Sequence, residues 1–244
     1  MKETRYFYVP DAGLSSELPA DEATHAIRVL RLKEGDEIFL MDGCGHYFTA
    51  EVSVASSKHC MYRIKETVEK NKDWSGYIHL AIAPTKMSDR MEWMLEKATE
   101  VGFDEVTFLN CRFSERRTLR TESLDRIIVS AMKQSRKPWK PVINPMMDFS
   151  EFIKRNDDGQ KYIAHCYNEI ARKDFFEEIS RPQTSDRITV MIGPEGDFSP
   201  EEIALAHQYG FENVSLGHSR LRTETAAVTT VADVAFINES TLNN

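Results

Sequence analysis

The sequence predicts an α/β protein in which a parallel sheet layered with helices follows a small β-rich N-terminal unit. Three observations carry that expectation. From residue 77 onward, strand-like and helix-like patterns alternate, the mark of an α/β layer fold. One of those strands, RITVMIG (187–193), is almost continuously apolar in its core, as a parallel strand buried on both faces must be. The residues before 69 instead carry short strand-like runs parted by turn residues, and they end in the polar, Gly-terminated stretch EKNKDWSG (69–76). The boundary falls there, giving units 1–72 and 73–244.

Taken in order, RYFYV (5–9) is a short strand, and ADEATHAIRVLR (20–31) is a helix with Ala23, Ile27 and Leu30 on one face. DEIFLMD (36–42) turns at Asp42-Gly43-Cys44-Gly45 into HYFTAEVSVA (46–55) as a hairpin, and MYRIKETV (61–68) adds a strand. YIHLAIAP (77–84) opens the second unit. SDRMEWMLEKATEVG (88–102) is a helix with Met91, Met94, Leu95, Ala98 and Val101 at helical spacing and Gly102 as its C-cap. DEVTFLN (104–110), KYIAHCY (161–167) and ENVSLG (212–217) are further strands, and ESLDRIIVSAMKQSR (122–136) a further helix. Ser199-Pro200 with Glu202 is a strong helix start: a Ser N-cap, Pro at the first helical position and Glu at the third. The last helix, TETAAVTTVADVAFINE, is apolar around much of its circumference and is expected to be buried on several sides.

With 41% hydrophobic and 29% charged residues among 244, the composition is that of an ordinary globular protein. No apolar run reaches the roughly 20 residues of a membrane span, and MKETRYFYVP lacks the apolar core of a signal peptide, so a cytoplasmic location is expected. Cys44, Cys60, Cys111 and Cys166 are scattered without zinc-ligand spacing, which predicts no metal site. The net charge of -8 is unevenly spread. Residues 112–140 hold nine basic side chains against three acidic ones, a local +6 that leaves -14 for the rest. Such a stripe is compatible with a solvated helix face or with a grip on a phosphate backbone.

Chemistry concentrates after two strands near the C-terminus, at Gly193-Pro194-Glu195-Gly196 and at Leu216-Gly217, where open α/β sheets bind their ligands. A phosphate cradle needs free N–H groups and no negative charge. Pro194 has no N–H, Glu195 and Asp197 repel phosphate, and neither a Walker nor a dinucleotide glycine motif occurs. A ligand with a cationic reacting centre, such as the sulfonium of S-adenosylmethionine, fits better. RLRTETA (220–226) then places two arginines at a helix start, with Thr223 as N-cap and Glu224 in the first turn. That segment reads as a capped helix with exposed arginines or as a holder of a polyanion.

IGPEG (192–196) followed by LG…LRTETA (216–226) resembles the signature of the SPOUT-class methyltransferases, specifically the 16S ribosomal RNA uracil-N3 methyltransferase family. The resemblance spans nearly the whole chain. HAIRVLRLKEGDEI (25–38) is similar to that family's PUA-like RNA-binding domain. KMSDRMEWMLEKATEVG (86–102), with Lys86, Arg90, Lys97 and Glu100, is similar to its first catalytic-domain helix. CRFSERR (111–117) and AMKQSRKPWKP (131–141) resemble its basic segments. Two departures stand out: Asp197 where the family has a second Gly, and Ser219-Arg220-Leu221-Arg222 where it reads R-I-L-R.

The resemblance implies a SPOUT-type parallel sheet with a C-terminal trefoil knot, a small N-terminal PUA-like β-barrel, and a homodimer. It implies S-adenosylmethionine as cofactor and methylation of a uridine N3 in the 16S ribosomal RNA of the small subunit, with the base unpaired or flipped out. Cofactor contacts would come from Ala164, His165, Ile192, Gly193, Pro194, Glu195, Gly196, Leu216, Gly217, Leu221, Arg222, Thr225 and Ala226. Arg222 or Arg220 would stabilise the imide anion, with Glu224 orienting the arginine or accepting the proton. RNA contacts would come from His25, Arg28, Arg31, Lys86, Arg90, Arg112, Arg116, Arg117, Gln134 and Arg136. Two other readings stand beside this one: a non-catalytic RNA-binding or ribosome-assembly protein, and a SPOUT enzyme acting on a ribose 2′-hydroxyl.

Overall fold

The computed structural model describes residues 6–56, 58–155, 158–181 and 185–242, with side chains described up to Ile237. Two compact units emerge: Met1–Lys72 with Val129–Lys140, and Asp73–Ile128 with Pro141–Asn244. Residues 129–140, expected in the second unit, pack with the first. The reason is a set of long-range bonds that no local pattern encodes. Lys133 pairs with Glu22 at 2.6 Å, Gly45 N–H donates to the Pro138 carbonyl at 2.9 Å, and Lys140 N–H donates to that of Gly43 at 2.9 Å.

The first unit contains β1 (Tyr6–Tyr8), α1 (Ala20–Thr24), β2 (Glu37–Met41), β3 (His46–Ala55) and β4 (Cys60–Glu69). Its four-stranded sheet runs β1-β2-β3-β4, with β1 parallel to β2 and the other pairs antiparallel. Of the strand expected over 5–9, Arg5 lies outside the described residues. The helix expected over 20–31 is shorter and changes form. After α1 the chain continues as a π-helical turn over His25–Val29, so Ala23 and Ala26 become the buried positions while Ile27 and Leu30 pack only partly. The hairpin turn is held by the Asp42 carboxylate, which accepts N–H bonds from Cys44 (2.7 Å) and His46 (3.1 Å).

The second unit is built on seven strands: β5 (Tyr77–Ile82), β6 (Glu105–Asn110), β7 (Val142–Asp148), β8 (Gln160–Ala164), β9 (Lys173–Asp174), β10 (Arg187–Ile192) and β11 (Glu212–Ser215). All pairs are parallel, in the order β7-β6-β5-β10-β8-β11-β9. Its helices are α2 (Ser88–Val101), α3 (Thr121–Ser135, whose last residues from Val129 count with the first unit), α4 (Phe149–Phe152), α5 (Phe175–Ser180), α6 (Pro200–Gln208) and α7 (Thr223–Leu242). β10 lies between β5 and β8 and is buried from Ile188 to Ile192, as its apolar run demands. Gly102 ends α2 at φ 118°, and a Cβ there would stand 2.3 Å from the Trp74 ring, so glycine is required twice over. α6 starts with the expected capping box: Ser199 Oγ accepts from Glu202 N–H at 3.2 Å, and the Glu202 carboxylate accepts from Ser199 N–H at 2.8 Å.

The sequence pattern did not reveal β7, α4, β9 or α5. β7 carries Pro145 and no apolar alternation, because it is an edge strand where a missing N–H is tolerated, and its register against β6 slips between Thr107 and Leu109. β9 has two residues and α4 four, too short to show a period. α7 packs on α2, β5 and β10 with Ala227, Val231 and Val234 buried, while Phe236 is exposed. The strand order turns back around β10: β5, β6 and β7 step toward one edge, and β8, β11 and β9 lie on the other side. A ligand crevice is expected at the carboxyl ends of the strands at such a point.

Candidate active site

The carboxyl ends of β8, β10 and β11 deliver three segments that, with the start of α7 and with Arg90 of α2, line a cavity of about 810 Å³. That is a size typical of small-molecule and cofactor sites, about 300–1,000 Å³. The segments are fastened to one another by specific bonds. Thr223 Oγ1 donates to the Gly193 carbonyl at 3.2 Å, so the start of α7 holds the turn after β10. Lys86 N–H donates to the Glu195 carboxylate at 2.9 Å. The Asp197 carboxylate accepts the Cys166 N–H at 2.8 Å, and Arg172 donates to the His165 carbonyl at 2.7 Å. At Gly193 a Cβ would stand 3.1 Å from the Phe198 ring, so the glycine lets the turn lie flat on that buried phenyl group.

Two side chains on the cavity wall hold buried polar atoms without a protein partner. His165 is 4% exposed and neither ring nitrogen has a hydrogen bond. Burial, with Arg172 nearby, pulls its pKa below the usual imidazole value despite the opposing charge of Asp197, so the ring is neutral at pH 7. Glu224 is 6% exposed; its Oε1 lies 3.7 Å from Arg90 Nε, and its Oε2 has no partner. Buried polar atoms are normally paired, so two cavity-lining side chains with unpaired ones stand out as groups that a bound ligand could engage once they turn toward it. Burial also pushes the Cys166 thiol up, and the neighbouring Asp197 adds to that.

Most residues singled out from the sequence meet here. Ala164, His165, Ile192, Gly193, Pro194, Glu195, Leu216, Gly217, Leu221, Arg222 and Ala226 line the cavity, as do Arg220 and Glu224. Gly196 and Thr225 do not. A Cβ on Gly196 would meet Phe113 rather than the cavity, and Thr225 lies one helical step round from Glu224. Thr223 is the first residue of α7 rather than its N-cap: the Arg222 carbonyl takes the first helical bond, from the Ala226 N–H at 2.8 Å, and the Thr223 hydroxyl donates to the Gly193 carbonyl. Arg90, expected on the RNA surface, is on the cavity wall, and it rather than Arg222 is the cation beside Glu224. Cys166, Asn168, Arg172, Asp197, Ser215, His218 and Ser219 also line the cavity. Cys166, His218 and Ser219 fall in the segments 164–167 and 216–226 expected to hold the cofactor, and Asp197 stood out as an acid at a turn where glycine was expected, whereas Asn168, Arg172 and Ser215 lie outside those segments.

The remaining residues expected to contact RNA are spread over both units. In the first, His25, Arg28, Arg31, Gln134 and Arg136 are exposed, Arg31 and Arg136 with φ of 54° and 56°. In the second, Arg112 pairs with Glu201 at 3.0 Å, Arg116 donates to the Lys86 carbonyl at 2.6 Å, Lys86 pairs with Glu115 at 2.9 Å, and Arg117 is exposed. Part of the basic stripe is therefore internally engaged. No helix among the described residues is long and apolar enough to cross a membrane.

Comparison with known proteins agrees with this architecture. Residues 18–61 match the model of an RNA methyltransferase PUA domain. The Ribosomal RNA small subunit methyltransferase E of Rickettsia conorii is 29% identical over 223 residues, spanning 91% of this chain and 89% of its own. The crystal structure of a probable rRNA-methyltransferase from Porphyromonas gingivalis superposes with a TM-score of 0.89 at 40% identity, covering 97% of this chain and 99% of that one. The Ribosomal RNA small subunit methyltransferase E of Neisseria gonorrhoeae, solved bound to S-adenosyl methionine, aligns with a TM-score of 0.81 at 26% identity over 94% of this chain and 96% of its own. Residues 72–235, two-thirds of the sequence, match the model of the RNA methyltransferase domain, and the chain belongs to that family.

Proposed function

We propose that this chain uses S-adenosylmethionine to methylate the N3 atom of a uridine in the 16S ribosomal RNA of the small ribosomal subunit. The observation that carries the reading is the cavity at the carboxyl ends of β8, β10 and β11, lined by His165 and Glu224, whose buried ring nitrogens and Oε2 have no partner. Its donor set suits this cofactor. Glu195, Asp197 and Glu224 favour a sulfonium and an ammonium, while Arg90, Arg172, Arg220 and Arg222 accommodate a carboxylate. Pro194 supplies no N–H for a phosphate, and the neutral His165 ring can both give and take a hydrogen bond.

When bound, the cofactor supplies an electrophilic methyl group on a good leaving group. The protein's own task is to position the acceptor and generate a nucleophilic nitrogen. Glu224 accepts the N3 proton through its partnerless Oε2, with Oε1 held toward Arg90. The exposed guanidinium of Arg222 or Arg220 stabilises the charge that then spreads onto the uracil carbonyl oxygens. N3 lies on the Watson–Crick edge, so the target base is flipped out or unpaired. His25, Arg28 and Arg31 on the PUA-like unit and the exposed arginines after β6 hold the flanking backbone. The reading includes a trefoil knot formed by the three cavity segments, closure of the N-terminal sheet as a barrel, and a homodimer.

The test is to incubate the protein with S-adenosylmethionine and small ribosomal subunits lacking the modification, then map the methylated nucleoside by mass spectrometry. A base-methylated uridine at N3 is expected; a ribose 2′-O-methyl product would overturn the N3 assignment. An Arg222→Ala variant that methylates at full rate with cofactor binding intact would transfer the anion-stabilising role to Arg220.

A further inference from the structure

We infer that Asp197 is a positioning residue: its carboxylate ties the segment after β8 to the turn after β10 and thereby sets cofactor affinity. The inference rests on the cofactor reading above and deepens it. Asp197 has φ 67°, in the left-handed region where glycine sits freely and a side chain costs energy. What offsets that cost is visible. The Asp197 N–H donates to the Pro194 carbonyl at 2.9 Å and closes the turn. Its Oδ1 accepts the Phe198 N–H at 2.8 Å, and its Oδ2 accepts the Cys166 N–H at 2.8 Å.

The last of these bonds crosses from one cavity segment to the other. Beyond the end of β8, His165 N–H reaches the Val214 carbonyl at 3.4 Å. Arg172, farther along the same excursion, holds the His165 carbonyl at 2.7 Å and Asn168 Oδ1 at 3.1 Å, so it is the Asp197 bond that ties this backbone to the turn after β10. Fixing the Cys166 amide fixes the residue before it, and that residue is His165, a cavity-lining residue whose buried imidazole has two partnerless nitrogens. Both carboxylate oxygens are in use, so the tie needs an aspartate; asparagine has one acceptor oxygen where two are required.

Isothermal titration with S-adenosylmethionine on the wild type, Asp197→Gly and Asp197→Asn, with thermal unfolding of each unliganded protein and amide exchange at Cys166, tests the tie. Asp197→Gly keeps the backbone conformation without strain and removes only the carboxylate. It is expected to weaken binding roughly tenfold, the scale of one hydrogen bond to a charged group, with faster exchange at the Cys166 amide. Asp197→Asn is expected to fall between. If Asp197→Gly binds within twofold of wild type, or loses thermal stability while affinity holds, the positioning role is overturned. Should the glycine variant fail to fold, the asparagine variant decides on the same criterion. A wild type that does not bind the cofactor overturns the cofactor reading itself, a distinct result.

Discussion

Replacing Arg90 with alanine removes the cation beside Glu224, and the consequence can be worked from the geometry. Arg90 Nε stands 3.7 Å from Glu224 Oε1, with the glutamate side chain 8% exposed and the arginine 36%. Two unit charges near that spacing attract by about 4 kcal/mol at an effective dielectric of roughly 20. Water screens the arginine end, which brings the working figure down to about 1–2 kcal/mol. The attraction is present while Glu224 is ionised and fades as it takes the substrate proton, so its loss alone strengthens the base; kcat/KM for RNA methylation still falls, roughly tenfold, because the carboxylate is no longer held in line with the substrate proton. A double-mutant cycle measured on methylation rate isolates the coupling. Arg90 acts through Glu224, so Arg90→Ala in a Glu224→Gln background should cost almost nothing further, and Arg90→Lys should restore part of the rate. Additive losses would refute the reasoning and return Arg90 to the RNA surface. So would an Arg90→Ala enzyme at wild-type rate.

Acid should destabilise the fold through Glu105. Burial pushes this carboxyl up, but the His79 charge, hydrogen bonds from Asn144 and Tyr77, and Arg155 together outweigh it and hold the pKa below the ordinary 4.5. The native state therefore binds fewer protons than the unfolded one, and the stabilisation present above pH 4.5 is lost as pH falls through the lowered value. Urea unfolding should show this acid loss, and Glu105→Gln should flatten it while costing about 3–5 kcal/mol at neutral pH; an unchanged acid slope would discard the assignment. On the RNA side, charge reversal at Arg116 and Arg117 should weaken binding of a small-subunit RNA fragment and shallow its salt dependence by about one to two counterions. Identical affinities and slopes in filter binding would remove both residues from the interface.

Where local pattern and tertiary role coincide, the sequence was readable. The apolar run of β10, the capping box of α6 and the Gly102 stop of α2 each act through neighbours in the chain, and each stands where expected. β7 was opaque because its edge position, the property that tolerates Pro145, is decided by strand order and not by its own residues. The segment 129–140 also packs with the first unit, which no local pattern announces, because its bonds run to Glu22, Gly43 and Gly45. At the cavity, the glycine turns after β10 and β11 could be located from the sequence, but partners could not. Nothing near Glu224 in the chain announces Arg90, and nothing near Asp197 announces Cys166. Thr223 shows the limit most clearly: its residue type is right for an N-cap, yet the helix opens one residue earlier, at the Arg222 carbonyl, and the Thr223 hydroxyl donates across to Gly193.

The two ends of the sheet divide the work of stability and function. At the amino end, Glu105 opens β6 and accepts from Asn144 (2.7 Å), Tyr77 (3.0 Å) and Arg187 (3.1 Å), so one buried carboxylate binds β5, β6, β7 and β10 together. At the carboxyl end the chain does the reverse. It places Asp197 in a costly backbone conformation, buries the His165 ring without a partner and leaves one oxygen of Glu224 unpaired. Groups of that kind lower stability unless a ligand satisfies them, which is why strain and unpaired polarity collect at functional sites. A cofactor that satisfied them would recover the deficit on binding. The unliganded protein should then gain more thermal stability from saturating S-adenosylmethionine than Asp197→Gly does, because the variant binds less tightly at the same concentration.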